Sequence, residues 1–241
     1  MTIIHLSDLH FGMPEYVKEL GTNVLRKMKE IKPDIIIITG DITNSGYLED
    51  YEEAKEFIDS LESKRKLIVP GNHDARNAGY LLFEEFFKTR YPVMKIGNLK
   101  IVGVDSSQPD LDDGHIGRSI YDFVRKELEG FPVKIVVLHH HLIPVPETGR
   151  ERNIPMDAGD FLKLISQLKV NLVLCGHKHV PWFWKLNGIL MINAGTATTR
   201  RTKARVEASF NVIKIEEERN IFVERLSSRT FKKELIYNGV I

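Results

Sequence analysis

Short β-rich runs alternate with helix-length amphipathic segments through the first half of this chain, a pattern that restricts it to a sheet flanked by helices. TIIHLS (2–7) reads as a strand, PEYVKELGTNVLRKMKEI (14–31) as mostly helix, and DIIIITGD (34–41) as a second, strongly apolar strand. In YEEAKEFIDSLES (51–63), Ala54, Phe57, Ile58 and Leu61 fall at helical spacing opposite an acidic face. KRKLIVPGNHD (64–74) is a third strand running into a turn, and GYLLFEEFFKTR (79–90) a short helix. PVMKIG and LKIVGVDSS then predict a hairpin bent at Gly97-Asn98. SIYDFVRKELEG and AGDFLKLISQLK are helices, VKIVVLHH and NLVLCGHKH strands. WFWKLNGILMINAG and ASFNVIKIEEERNIFVERLS close the chain as two more hairpins. About ten strands favour two sheets over one. The expected fold is α/β: two mixed β-sheets packed as a sandwich and flanked by helices.

Several strands finish alike, an apolar run giving way to polar residues able to bind metal. The first delivers Asp8 and His10, the second Asp41, the third Asn72 and His73, VKIVVLHH delivers His139 onward, and NLVLCGHKH delivers His177 and His179. Carboxyl ends of parallel strands are where sites assemble in α/β sheets, so these ends are expected to share one pocket. Asp8-x-His10 and His177-x-His179 are i,i+2 pairs, which on extended backbone project to the same side. Gly40 precedes Asp41, Gly71 precedes Asn72 and Gly176 precedes His177, marking places where backbone turns tightly or approaches something closely. The row His139-His140-His141 cannot aim at one spot unless the backbone turns there.

With 241 residues, 42% of them hydrophobic, a single domain spanning 1–241 is expected. The 34 basic and 33 acidic side chains nearly cancel, so no global field favours nucleic acid or an anionic membrane as partner. The start MTIIHLSDLH has neither the basic region nor the apolar run of a secretory signal, and no apolar run approaches the roughly 20 residues of a membrane span. A cytoplasmic location is the expectation. Cys175 is the only cysteine, so any metal must sit among nitrogen and oxygen ligands.

SDLHFG, TGDITNSG, PGNHD, VVLHH and CGHKH, in that order between residues 7 and 179, resemble the motifs of the calcineurin-like metallophosphoesterase superfamily, and within it the bacterial cyclic nucleotide phosphodiesterase branch. The resemblance implies two divalent or mixed-valence ions, with Asp8, His10 and His179 on one, Asn72, His139 and His177 on the other, and Asp41 bridging. It makes His139 the ligand of its row. His73 is implied to reach the phosphoryl oxygens or the leaving group rather than a metal. A ligand set of Asp, His and Asn without sulfur suits Mn, Fe or Zn.

The implied activity is metal-dependent phosphoric ester hydrolysis. The substrate implied by the resemblance is a small phosphodiester of nucleotide type, such as a cyclic nucleotide, attacked by a hydroxide shared by the two ions. A nucleotide-sugar or lipid-precursor pyrophosphatase and a broad phosphomonoesterase are the alternatives within the superfamily. A non-catalytic metal-scaffolded interaction module is the alternative outside enzymology, although neither His73 nor any implied ligand is missing. No stable nucleic acid complex is expected; a homodimer stays open.

Other residues carry weaker signals. Arg76 follows PGNHD closely enough to meet a phosphate or a substrate base. His140 points away from the metals if the strand persists, toward a supporting or substrate-contacting position, while His141 is either pocket wall or solvent-exposed. Arg200, Arg201, Lys203 and Arg205 read as a solvated basic face, with contact to substrate as the alternative. Trp182 and Trp184 alternate on one strand face, where packing is the default and a stacking rim the alternative. Cys175 reads as buried packing.

Overall fold

The computed structural model describes residues 1–149, 153–216 and 219–241. Residues 150–152 of the loop LIPVPETGRERNIP and residues 217–218 at the bend of the last predicted hairpin lie outside the described residues. In chain order the elements are β1 (Thr2–Leu6), α1 (Lys18–Ile31), β2 (Ile35–Thr39), α2 (Leu48–Ser60), β3 (Lys66–Val69), α3 (Gly79–Phe87), β4 (Val93–Ile96), β5 (Leu99–Gly103) and α4 (Arg118–Leu128). They continue with β6 (Val133–Val137), α5 (Ala158–Gln167), β7 (Leu172–Cys175), β8 (Trp182–Leu186), β9 (Ile189–Asn193), β10 (Ser209–Ile215), β11 (Asn220–Ser227) and β12 (Lys233–Val240).

Two six-stranded mixed sheets form, ordered β12-β11-β10-β1-β2-β3 and β4-β5-β6-β7-β9-β8. In the first, β1, β2 and β3 run parallel while β10 to β12 pair antiparallel. In the second, β5, β6, β7 and β9 are parallel between antiparallel edge strands. The pleat sends Ile35 and Ile37 inward to meet Ile135, Val137, Leu172 and Leu174 of the facing sheet, and sends Ile36 and Ile38 outward under α1 to α3. Helices α4 and α5 cover the other sheet through Val124, Leu128, Phe161 and Ile165. β2 is apolar on both faces because both are covered. The layers are helix, sheet, sheet, helix, as the sequence pattern predicts.

α1 fills most of the 14–31 span, as expected, beginning at Lys18 where the Val17 N–H is bonded to the Thr198 carbonyl. Two details depart from the sequence reading. β12 was unforeseen: KELIYNGV lies on an edge, exposed on much of its surface, and needs no apolar alternation. β8 is an edge strand of the second sheet, and Trp182 and Trp184 are only partly packed there, 39% and 38% exposed. Among the described residues no helix covers that edge as α4 and α5 cover the strands beside it. No described helix is long and apolar enough to cross a membrane.

Candidate metal centre

Each parallel strand that carried a motif ends at the same edge of the sandwich. Gly40 makes the approach possible: with φ +81°, a Cβ there would lie 2.5 Å from the Gly71 nitrogen, so the ends of β2 and β3 could not otherwise close on each other. Asp74, the last residue of PGNHD, ties that junction. Its buried carboxylate accepts the backbone N–H groups of Ile42 (3.2 Å), Thr43 (2.8 Å) and Gly71 (2.8 Å), and the Thr43 hydroxyl (2.9 Å). Burial, reinforced by nearby Asp41, pushes its pKa up to about 7.

Two groups of side chains face each other across this floor. In one, His10 Nε2 lies 2.9 Å from His179 Nε2, and Asp8 Oδ1 lies 3.2 Å from the same His179 nitrogen. In the other, Asn72 Oδ1, His139 Nε2 and His177 Nδ1 form a triangle with sides of 3.0, 3.1 and 3.1 Å. Asp41 stands between, its Oδ2 3.3 Å from His139 Nε2 and 3.8 Å from His10 Nε2. Its Oδ1 accepts the backbone N–H of His73 at 2.9 Å. His73 also comes within ligand reach of His10 and Asp41.

Hydrogen bonds behind the rings decide which nitrogens face inward. His139 Nδ1 donates to the Thr39 carbonyl and His179 Nδ1 to the Arg201 carbonyl, each at 2.6 Å, so both rings offer Nε2 to the cluster. Nitrogen and oxygen acceptors then oppose one another near 3 Å, and one proton serves only one pair. Asp8 Oδ1, which faces the cluster, is buried without a hydrogen-bond partner among the described residues. A cation satisfies several such atoms at once, so the donor set fits one.

The electrostatics of the cluster without a cation show a demand for positive charge beside Asp41. Burial alone would raise the Asp41 pKa, but His139, His73 and His10 hold it well below the usual carboxylate range. Burial likewise opposes charge on His139, yet Asp41 draws it up to about 9. His10 and His177 are pushed well below the ordinary histidine value, chiefly by desolvation.

The i,i+2 pairs converge by a different route from the one expected. Asp8, His10, Asp41, His177 and His179 all have left-handed backbone, with φ of 53°, 51°, 50°, 74° and 57°. The strands have already ended, and turns rather than the pleat aim these side chains. Left-handed backbone costs a non-glycine residue about 1–3 kcal/mol, and such strain collects at functional sites.

The floor opens into a cleft of about 240 Å³, walled in part by Arg76, Lys178, Arg201 and Lys203. Asp41, Asn72, His73, His177 and His179 line its base. The family model for calcineurin-like phosphoesterases matches residues 1–181. The chain belongs to the calcineurin-like phosphoesterase family. A 3′,5′-cyclic-nucleotide phosphodiesterase of Nostoc sp. is 25% identical over 191 residues, 74% of this chain and 71% of that protein. A probable glycerophosphodiester phosphodiesterase of Arcobacter nitrofigilis is 31% identical over 215 residues, 81% of this chain and 78% of that one. The fold is that of a dimetal phosphatase from Danio rerio, with a TM-score of 0.69 at 11% identity and 99% of each chain covered. As in the family generally, divalent ions are the implied cofactors.

The other positions singled out by the sequence reading divide, some where expected and some elsewhere. His140 is fully buried and does not reach the cleft; its ring spans Ser106 Oγ (2.9 Å) and the Asp112 carbonyl (3.1 Å). Desolvation takes its pKa down to about 3. His141 is 1% exposed, stacks on His177 at 5.6 Å, and borders an apolar slot with Trp182 and Trp184 instead of the cleft. Arg76 is at the cleft wall, 3.0 Å from His73 Nδ1. The basic run divides, Arg201 and Lys203 lining the cleft while Arg205 lies in a separate groove. Cys175 is buried packing, as expected. Asp112 was not singled out by any motif, yet it accepts from both Asn72 Nδ2 (3.1 Å) and Arg76 Nη2 (2.6 Å).

Proposed function

We propose that this phosphoesterase is a metal-dependent phosphodiesterase acting, as one domain, on a small phosphodiester of nucleotide type. Asp8, His10 and His179 hold one ion, Asn72, His139 and His177 hold a second, and Asp41 is shared. The observation that carries this reading is the set of inward-facing acceptors near 3 Å apart, which protons cannot satisfy together. Two divalent ions there would supply Lewis acidity and lower the pKa of water to near neutrality.

The chain's own groups supply the rest. The Thr39 and Arg201 carbonyls keep His139 and His179 in the tautomer that faces the ions. His73 Nδ1 donates to the Asn44 carbonyl at 2.6 Å, which leaves Nε2 as the nitrogen able to carry a proton to a leaving oxygen. Arg76, Arg201 and Lys203 give the cleft wall a positive face for a phosphate anion.

A glycerol phosphodiester is the second reading, favoured by the 31% identity to the Arcobacter protein. Among the described residues the cleft wall also has no Trp, Tyr or Phe on which a nucleobase would stack. Metal-reconstituted protein assayed against bis-p-nitrophenyl phosphate, p-nitrophenyl phosphate, 2′,3′- and 3′,5′-cyclic nucleotides, glycerophosphodiesters and UDP-sugars tests both. Diesters should lead the panel. Turnover confined to monoesters or pyrophosphates would overturn the diesterase reading.

A further inference from the structure

The loop joining β5 to α4 carries SSQPDLDDGH (106–115), in which no spacing rule marks one acid over another. Its backbone is pinned from several sides. The His115 N–H bonds the Ser106 carbonyl (3.0 Å), Asp110 Oδ1 accepts the Asn77 N–H (2.8 Å), and His140 Nε2 meets the Asp112 carbonyl (3.1 Å). From that fixed position a single oxygen, Asp112 Oδ1, accepts from Asn72 and from Arg76. Partial desolvation opposes the charge of Asp112, but Arg76, His73 and Asn72 outweigh it and hold its pKa below the ordinary value. The Asp112 side chain stays 60% exposed and Arg76 31%, so this pair faces water and an arriving anion can compete for the guanidinium.

We infer that Asp112 sets the charge of the phosphate ester the cleft accepts, by occupying Arg76 and repelling a second negative charge, while it orients the Asn72 amide. This rests on reading the site as a phosphoesterase centre. The orientation matters because Asn72 Oδ1 faces His139 and His177 only while Nδ2 has an acceptor behind it. Asp112 is thus a positioning and selectivity residue rather than a catalytic one. Coulomb energy is proportional to ligand charge, so the penalty in affinity for a dianion is about the square of that for a monoanion. Lys178, Arg201 and Lys203 also line the cleft, but they are common to all variants and cancel from the comparison.

The test is calorimetric binding of dimethyl phosphate, a monoanion, and of inorganic phosphate near pH 8, mainly a dianion, to manganese-loaded wild type, D112N and D112A. D112N keeps an acceptor oxygen for Asn72 and removes the charge. It should retain full metal content and bind dimethyl phosphate about threefold and inorganic phosphate about tenfold more tightly. D112A also releases the amide, and its metal affinity should fall about 10- to 100-fold. A merely structural role would weaken both anions equally. Equal changes for the two anions, weaker binding in D112N, or no phosphate binding to any of the proteins overturns the proposal. Because binding is read without turnover, the two readings separate: the predicted shift without hydrolysis of any diester sinks only the diesterase assignment. Diester hydrolysis with an unmoved binding ratio sinks only the role of Asp112.

Discussion

In the layer between the two sheets, side-chain direction follows the pleat; at the carboxyl ends of the same strands it follows left-handed turns. Ile3, Ile35, Ile37, Leu67 and Val69 meet Ile101, Ile135, Val137 and Leu174 across a fully aliphatic layer, each in the direction that strand alternation dictates. Just beyond, Asp8, Asp41 and His177 adopt backbone that L-residues disfavour. The layer gains stability from buried area, roughly 25 cal/mol per Å² of apolar surface, and that surplus holds the strained, charged floor in place. A polar seam separates them. His5 Nε2 lies 3.0 Å from Thr39 Oγ1, Asn211 Nδ2 lies 3.3 Å from His5 Nδ1, and the Thr39 carbonyl accepts the hydrogen bond from His139 Nδ1.

Changes in the floor should therefore abolish function with little effect on folding, and changes in the layer should do the reverse. The largest effect is expected for Asp41→Asn, since one carboxylate lies near both histidine groups. Turnover should fall by more than the roughly 10- to 100-fold that loss of an outer supporting partner costs, and metal analysis should find less than two ions per chain. Two ions retained in Asp41→Asn would show that the floor does not depend on a shared carboxylate.

His73→Ala comes next. It should keep both ions and lose about 10²- to 10⁴-fold in turnover, with the greater loss for alkoxide than for p-nitrophenolate leaving groups. His73 is within ligand reach of His10 and Asp41, so loss of one ion in this variant would instead place it among the ligands. Ile37→Ala tests the layer: it removes a fully buried side chain and should destabilise by about 2–5 kcal/mol in urea unfolding, while kcat of the folded fraction stays near wild type. A comparable drop in kcat would mean that layer and floor are one mechanical unit.

The contrast also explains what could be read in the amino-acid sequence. Strands such as Ile35–Thr39 and the sandwich they build were legible because burial on both faces writes an unbroken apolar run. The floor residues were legible as motifs because each begins where such a run stops. Their geometry was not: a φ of 53° at Asp8 leaves no trace in spacing, so extended i,i+2 pairs seemed to suffice. Asp112 and Asp74 were invisible as working residues because their partners are supplied by other loops, Asn72 and Arg76 for one, Ile42 and Thr43 for the other. β12 was missed because an exposed edge carrying Lys233, Glu234 and Asn238 has no buried face to impose a pattern. Alternation alone leaves Trp182 and Trp184 between packing and an exposed rim, and only the sheet order shows that β8 is an edge.

The seam gives the smallest predicted effect and the one most sensitive to how sharply the two regions are divided. His5 is fully buried, and desolvation lowers its pKa to about 3 despite an opposing pull from Asp8. An unfolded histidine titrates near 6.5, so between about pH 6.5 and 3 the unfolded chain binds a proton that the folded chain refuses. The stability contribution is complete above pH 6.5 and is lost progressively as pH falls, by at most about 1.4 kcal/mol per pH unit for each such group. Buried His140, also taken down to about 3, and His10 and His177, both pushed well below the ordinary value, add protons of the same sign. His5→Gln removes one of these, so urea midpoints measured with chelator between about pH 7 and 4.5 should fall less steeply in the variant, by close to one proton's worth of slope. An unchanged slope would mean that His5 takes up its proton in the folded state, and that water reaches the aliphatic layer through a seam that the structure draws as closed.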